Sequence, residues 1–496
     1  MTATTAVEYE TVIGLEVHAQ LLTKSKMFCG CSADYANAEP NTHVCPICLG
    51  MPGVLPVINR AALEYTVMTG LALNCHIPLQ AKFDRKNYPY PDLMKGYQIS
   101  QYDMPLCRDG FLLVEADGET RRVGVTRVHL EEDTARLLHR LDPETGEGYS
   151  LIDVNRSGVP LMEIVSEPDI RSPEQARQYL MKLRQILRYL GVSAANMEEG
   201  NFRCDANVSL RPVGSSELGA KVEVKNMNSF RSVARALEYE VERQRAVLDS
   251  GGRIPQETRG WLELEGRTAS QRSKEHAHDY RYFPDPDLPP IVLTPEWISS
   301  IRERIPELPD AKRQRFVATY GLSDYEVGLL IETRARADYY EACVGPYRSE
   351  PARLPAMAKG CANWMLGEMA RLQNLRGGSI EDAPVPPEHL RELVELIEAG
   401  ALSSKMAKDV FAAVFETGKP PSVVVQERGL SQLSDEDELA RLVDEIIAAN
   451  PKPAADFRAG KQEALKFLVG QLMRATKGRA QPELANELLR KALSTQ

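Results

Sequence analysis

Carboxylates recur in this chain where an alternating strand would turn them to one side. Glu16 and His18 are two residues apart in a run from Tyr9 to Leu21 whose odd positions are mostly apolar. Glu131, Glu132 and Asp133 end a second alternating run, and Glu198 and Glu199 stand just before a third. In that third run Arg203, Asp205 and Asn207 alternate with Phe202, Cys204, Ala206 and Val208. Adjacent carboxylates repel, and a divalent cation among them relieves the repulsion. Oxygen donors from Glu16, Glu131, Glu132, Glu198, Glu199 and Asp205, with His18 as a further ligand, would suit magnesium bridging nucleotide phosphates. The alternative is that each polar face is simply the solvated side of a sheet.

Four thiols form the second cluster. Cys29 and Cys31 are separated from Cys45 and Cys48 by a loop of thirteen residues, which predicts a tetrahedral structural zinc. The first pair has one intervening residue where two to four are usual, and His43 is a possible substitute ligand. Cys75, Cys107, Cys204, Cys343 and Cys361 are isolated and read as buried.

The elements that must position these groups are legible as periodicities. Side chains alternate faces along a strand, so Glu16 and His18 project together. Phe202 to Leu210 and Lys221 to Lys225 read as two strands of a hairpin around Pro212 and Gly214. Ser172-Pro173-Glu174-Gln175 opens a helix whose apolar stripe is Ala176, Leu180, Leu183, Leu187 and Leu190, and Gly191 stops it. A second helix runs from about Ser232 to Gly251. Prolines between Phe283 and Pro290 mark a boundary, beyond which the pattern is helical, starting at Thr294-Pro295. A further break is expected near Pro384–Pro387. The resulting division is 1–292, 293–400 and 401–496, in accord with about three domains for this length.

Composition bounds the rest. Hydrophobic residues make up 43% and charged residues 26% of 496, as in folded globular proteins. No apolar run approaches a membrane span, and the first residues lack a basic-then-apolar leader, so the expected place is the cytoplasm, without a membrane. The formal charge of -10 argues against wrapping nucleic acid by charge alone. From Pro451 to Gln496, however, nine basic residues face four acidic ones, and Lys461, Lys466, Arg474, Lys477 and Arg479 flank a stripe of Leu465, Leu468, Val469 and Leu472. Walker, G-x-S-x-G and H-E-x-x-H motifs are absent from the sequence.

Longer motifs carry a resemblance. Val12-Ile-Gly-Leu-Glu-Val-His18, Lys86-Asn-Tyr-Pro-Tyr-Pro-Asp92, His129-Leu-Glu-Glu-Asp133, Asn155-Arg-Ser-Gly-Val-Pro160, Met197-Glu-Glu-Gly200, Arg203-Cys-Asp-Ala-Asn-Val208 and His278-Asp-Tyr-Arg-Tyr-Phe283 resemble the GatB family, whose members are components of tRNA-dependent amidotransferases. Thr134-Ala135-Arg136 stands where that family usually reads Ala-Gly-Lys.

The resemblance implies an α+β fold: a cradle-shaped catalytic domain with an antiparallel sheet, an all-helical domain, and a helical tail similar to the small YqeY family that meets tRNA. It implies that ATP and magnesium phosphorylate the side-chain carboxylate of Glu or Asp misacylated on tRNA, and that ammonia then displaces phosphate. Glu16, His18, Glu131 and Glu132 are the implied catalytic residues, with Glu16, His18 and Glu132 on the metal. Glu198, Glu199, Arg203, Asp205 and Asn207 are implied to bind the cofactor, and Lys86 and Tyr88 to guide or deprotonate the nucleophile. Cys29, Cys31, Cys45 and Cys48 fall where family members carry zinc, near the expected tRNA acceptor end. The chain shows no glutaminase constellation, so ammonia would come from an amidase A subunit, with a small C subunit completing a heterotrimer. The alternatives are a zinc-bearing RNA-binding scaffold without catalysis and a metal-dependent phosphoesterase.

Overall fold

A computed structural model describes residues 7–273, 280–378, 380–429, 436–476, 480 and 482–494. His278, Asp279, Lys477 and Arg479, named above, lie outside the described residues. The chain divides into two compact units, Met1–Pro309 and Asp310–Gln496.

The first unit is built on an eight-stranded sheet, and its alternating sequences set which side chains share a face. Strand Tyr9–Gln20 sits inside this sheet, antiparallel to Phe202–Pro212 on one side and to Pro160–Ser166 on the other. Beyond Pro160–Ser166 follow Glu119–Glu132 and Cys107–Ala116; beyond Phe202–Pro212 follow Val222–Lys225, Glu257–Leu262 and Arg267–Ser273. The expected hairpin is present, with Ala206 opposite Val224. The sheet is not wholly antiparallel: Val222–Lys225 and Glu257–Leu262 run parallel. Between them the chain crosses over through helix Phe230–Asp249, as a parallel pair requires.

Ile13, Leu15, Val17 and Ala19 point to the buried face and join the core that includes Leu180, Leu183 and Leu187 of helix Pro173–Leu190. That helix starts where Ser172 accepts a bond from the Gln175 amide (3.1 Å), and it ends at Gly191, whose φ of 68° suits glycine. The second helix begins at Phe230, earlier than the sequence suggests, because Ser229 caps the Ser232 amide. A separate small sheet sets strand Asp84–Asn87 between Tyr97–Ser100 and Phe283–Pro284. All five isolated cysteines are buried.

Two boundaries move. Helix Pro295–Arg302, capped by Thr294, places Ile301 in the first core, so the first unit extends past 292. In the helical second unit one core runs from Phe316 to Val424 and includes Val385, Leu402, Met406, Val410, Phe411 and Val414. The proline stretch near 384 and the point 400/401 therefore fall inside a core and not between cores, because the apolar faces on both sides cover one another. A separate small core, Val443 to Leu493, contains Leu465, Leu468 and Leu472.

A chain ending at Gly429 should keep the Phe316–Val424 core, whereas one ending at Gly400 loses Leu402, Met406, Val410, Phe411 and Val414 from it. Each such side chain is worth about 1.5–3 kcal/mol buried, against a usual stability of about 5–15 kcal/mol. Amide exchange in helix Arg334–Val344 should stay slow in the first truncation and become fast in the second; equally slow exchange in both would restore the boundary at 400.

Candidate active site

The register of the sheet assembles a row of polar side chains across four strands. His129 lies opposite Glu163, Glu163 opposite His18, and His18 opposite Arg203. His18 Nε2 is 3.4 Å from Glu163 Oε2 and 3.5 Å from Glu131 Oε1, and His129 Nε2 is 3.4 Å from Glu163 Oε2. His18, Glu131 and Glu163 each offer a ligand atom, all within 4.8 Å of one another. Glu131, Glu163 and His129 are buried.

Burial and charge set the protonation of this row. Desolvation works against an imidazolium at His18, but Glu163 and Glu131 outweigh it and raise His18 to about 9. Desolvation prevails at His129, which falls to about 4, and its buried Nδ1 has no hydrogen-bond partner. Burial raises Glu131. Glu163 is held well below the carboxylate range because, although burial opposes its charge, both imidazoles and Lys86 favour it.

Strand Asp84–Asn87 brings Lys86 to this face. Burial disfavours its ammonium, yet Glu131, Tyr282 and Glu163 hold it above the usual lysine range. Its Nζ lies 5.1 Å from the centre of the Tyr280 ring and 6.0 Å from that of Tyr88. Tyr88 donates to Gln98 Oε1 (3.2 Å), and burial pushes its hydroxyl upward in proton affinity. Ser100, on the strand beside Lys86, donates to Glu131 Oε2 (3.3 Å).

Other residues singled out from the sequence occupy separate places. Glu16 shares the face of His18 but sits one cross-strand row away, opposite Asp205, and accepts a bond from Asn207 Nδ2 (3.0 Å). Asp205 is paired with Lys225 at 2.7 Å. Gly14, Glu16, Ser166, Asn207, Ser209 and Lys221 help line a cavity of about 420 Å³, and Oδ1 of Asn207 is buried without a partner. Glu132 turns to the opposite side from Glu131, as its neighbour on a strand must, and bonds to Lys95 and the Ile99 amide. Glu198 and Glu199 lie in an exposed turn, where Glu199 accepts from Asn201. Glu163 and His129 complete the row without having been singled out. The available signal was one glutamate in the apolar run Pro160-Leu-Met-Glu-Ile-Val.

The donor set fits a divalent cation in place of the shared proton: two carboxylate oxygens and one imidazole nitrogen. Magnesium is commonly held by one or two carboxylates and completed by phosphate and water.

The four clustered cysteines also converge, with their sulfurs within 4.8 Å of one another. Cys45 and Cys48 sulfurs are 3.9 Å apart, close to the roughly 3.8 Å edge of a tetrahedron with Zn–S of about 2.3 Å. Contact with Cys29 and the charge of Lys26 hold the Cys48 thiol down at about 4 despite its burial. His43 is not part of the group; its amide donates to Asn155 Oδ1 (2.7 Å). A chain of bonds links the intervening loop to the row. Tyr35 donates to Gln20 (3.0 Å), Gln20 to Asp133 (2.7 Å), and Arg203 to Asp133 (3.2 Å).

In metal-free protein, NMR titration should find His18 cationic up to about pH 9 and His129 neutral above about pH 4. Because His18 is raised relative to its ordinary 6.5, its stabilising contribution is full below pH 6.5 and is lost as pH rises through about 9. Glu163→Gln should lower the His18 value by roughly one to three pH units; an unchanged value would separate the two groups.

Comparison with known proteins places the chain in a family. Residues 11–299 match the GatB/GatE catalytic domain, and residues 347–493 match the GatB domain that carries the YqeY name. The chain is 60% identical over 486 residues to the B subunit of the aspartyl/glutamyl-tRNA(Asn/Gln) amidotransferase of Thermomicrobium roseum, covering 98% of this chain and 99% of that one. It is 57% identical over 488 residues to the protein of the same name from Dehalococcoides mccartyi strain CBDB1, with the same coverage. The corresponding Moorella thermoacetica protein is 55% identical over 486 residues, covering 98% of this chain and all of that one. With an α+β first unit, a helical second unit and these matches across nearly its whole length, the chain belongs to the GatB family of tRNA amidotransferase components.

Proposed function

We propose that the row on the sheet's polar face is the phosphoryl-transfer centre of a tRNA-dependent amidotransferase. The γ-phosphoryl group of ATP moves to the side-chain carboxylate of Glu or Asp carried by tRNA(Gln) or tRNA(Asn), and ADP leaves. Ammonia then attacks the acyl carbon, phosphate departs with the C–O electron pair, and a proton is released as the amide forms. A carboxylate oxygen is a poor leaving group, and phosphorylation corrects that.

The observation that carries this reading is the convergence of His18, Glu131 and Glu163 beside two cations, Lys86 and Arg203. When bound there, magnesium held by Glu131, Glu163 and His18 would neutralise phosphate charge. Arg203, anchored by Asp133 in the row next to His18, meets the transferred phosphoryl group. The cavity lined by Glu16, Asn207, Ser209 and Lys221 supports nucleotide binding on the same face. Lys86, held cationic on this face, donates N–H groups to the oxyanion that forms when ammonia attacks the acyl carbon, and the proton lost by nitrogen passes to solvent.

That the relatives are named as one component of a larger enzyme supports a multi-subunit assembly, which would work in the cytoplasm. An amidase A subunit supplies ammonia and a small C subunit completes the heterotrimer. No described helix is long and apolar enough to cross a membrane. The cysteine module holds a structural zinc, and the small C-terminal core displays exposed Lys466 and Arg474 toward tRNA phosphates. Lys461 is paired with Asp456.

In the reconstituted complex, ADP should form only with misacylated tRNA. Glu163→Gln and His18→Ala should each slow it by about a hundredfold or more while tRNA binding persists. ADP formation independent of tRNA would favour a phosphoesterase, and a wild type forming no ADP would favour a scaffold.

Lys86→Ala should separate the two half-reactions: ADP formation continues while amide yield falls. Equal losses of both would move Lys86 to the nucleotide.

A further inference from the structure

We propose that Lys26 is the resident counter-cation of the four-cysteine site, a positioning residue that tunes how tightly the site holds its metal. The proposal rests on the reading that the thiols bind zinc. Lys26 is 1% exposed, and no carboxylate among the described residues reaches ion-pair distance of it. Its Nζ donates to the carbonyl oxygens of His43 (2.8 Å) and Val154 (3.5 Å). Two other low-exposure lysines are paired conventionally, Lys95 with Glu132 and Lys312 with Asp338 and Glu341, and Lys86 has Glu131 and Glu163 at longer range. A buried ammonium without an anion is strongly unfavourable.

The missing anion is the metal site itself. Four thiolates around a doubly charged zinc carry a net charge of about -2, and a buried cation beside them offsets half of it. Lys26 is close enough to do so. Gly158, with φ of 83°, leaves a space between the two: a Cβ placed there would lie 3.6 Å from Lys26 Cδ and 3.7 Å from Cys48 Cβ. Lys26, Cys29 and Cys48 also wall one small cavity. Glu132 and Asp287 share that cavity, but the first carboxylate is taken by Lys95 and the Ile99 amide and the second by Arg85. The same segment connects to the catalytic row. The Met27 amide donates to Gly158 O (2.6 Å), and the Gly158 amide to Asp133 O (2.9 Å).

The role predicts a dependence on zinc that packing alone would not produce. Without zinc, Lys26 faces the Cys48 thiol alone; with zinc, it faces four thiolates and offsets half of the net charge of the filled site. The test uses the full chain in wild-type, Lys26→Met and Lys26→Arg forms. Zinc is measured by elemental analysis and by competition with a chromogenic chelator, and thermal unfolding is followed in zinc-loaded and zinc-stripped protein. Lys26→Met should bind zinc roughly ten- to a hundredfold more weakly, the usual effect of losing an outer-shell partner, while Lys26→Arg stays within a few-fold of wild type. Zinc-loaded Lys26→Met should fall further below its wild type in melting temperature than zinc-stripped Lys26→Met does. Should Lys26→Met not fold, Lys26→Gln, which still offers N–H groups to the two carbonyls, carries the same comparison. Unchanged zinc affinity in the neutral variant, or an equal loss of stability in the zinc-loaded and zinc-stripped states, would overturn the proposal. A wild type that holds no zinc would instead remove the zinc reading beneath it, and the elemental analysis alone shows that.

Discussion

Glu163 is a carboxylate buried inside an eight-stranded sheet, and the rest of the first unit answers to it. A lone buried charge would neutralise by changing its proton affinity. Here the register puts an imidazole on each side, of which His18 is cationic, and Lys86 adds a second positive charge, so Glu163 stays ionised. One glutamate thereby sets His18 as an imidazolium, while burial keeps His129 neutral. Two histidines on strands either side of it carry opposite charge states because their solvation and their share of the carboxylates differ.

This arrangement needs a rigid frame, and the frame comes from the other face of the same strands. Ile13, Leu15 and Val17 share one buried core with Leu183 and Leu187, so a slip of one residue would bury Glu16 and His18 among apolar side chains. The hydrophobic face thus fixes the register, and the register fixes which polar groups meet. The small sheet then caps the row from above, with Ser100 bonded to Glu131 and Lys86 set among tyrosines.

The cysteine module extends this frame toward the proposed substrate. Tyr35, Gln20, Asp133 and Arg203 form a hydrogen-bonded line from the loop between the thiol pairs to the row beside His18. Lys26 and Gly158 form a second connection through main-chain bonds. In the GatB reading, a metal that holds the module closed also holds Asp133, and through it Arg203, in place.

Much of this was legible in the sequence. Alternation placed Glu16 and His18 on one face, the spacing of four cysteines predicted their convergence, and Ser172 and Gly191 marked both ends of a helix, because each of these depends on neighbours within a few residues. Long motifs established the family. Three outcomes needed the tertiary structure. Glu163 joined the row only through pairing with strands far away in the chain, and nothing local distinguishes one glutamate in an apolar run from a solvated edge residue. Glu131 and Glu132 read as one acidic pair, but strand geometry sends them to opposite sides, where one meets His18 and the other Lys95. The helical boundaries moved because prolines mark turns, whereas a domain ends where apolar faces stop covering one another, and the faces on both sides of residue 400 share a core. Local periodicity determined the orientation of each side chain; long-range register and burial decided which of those side chains share a charge.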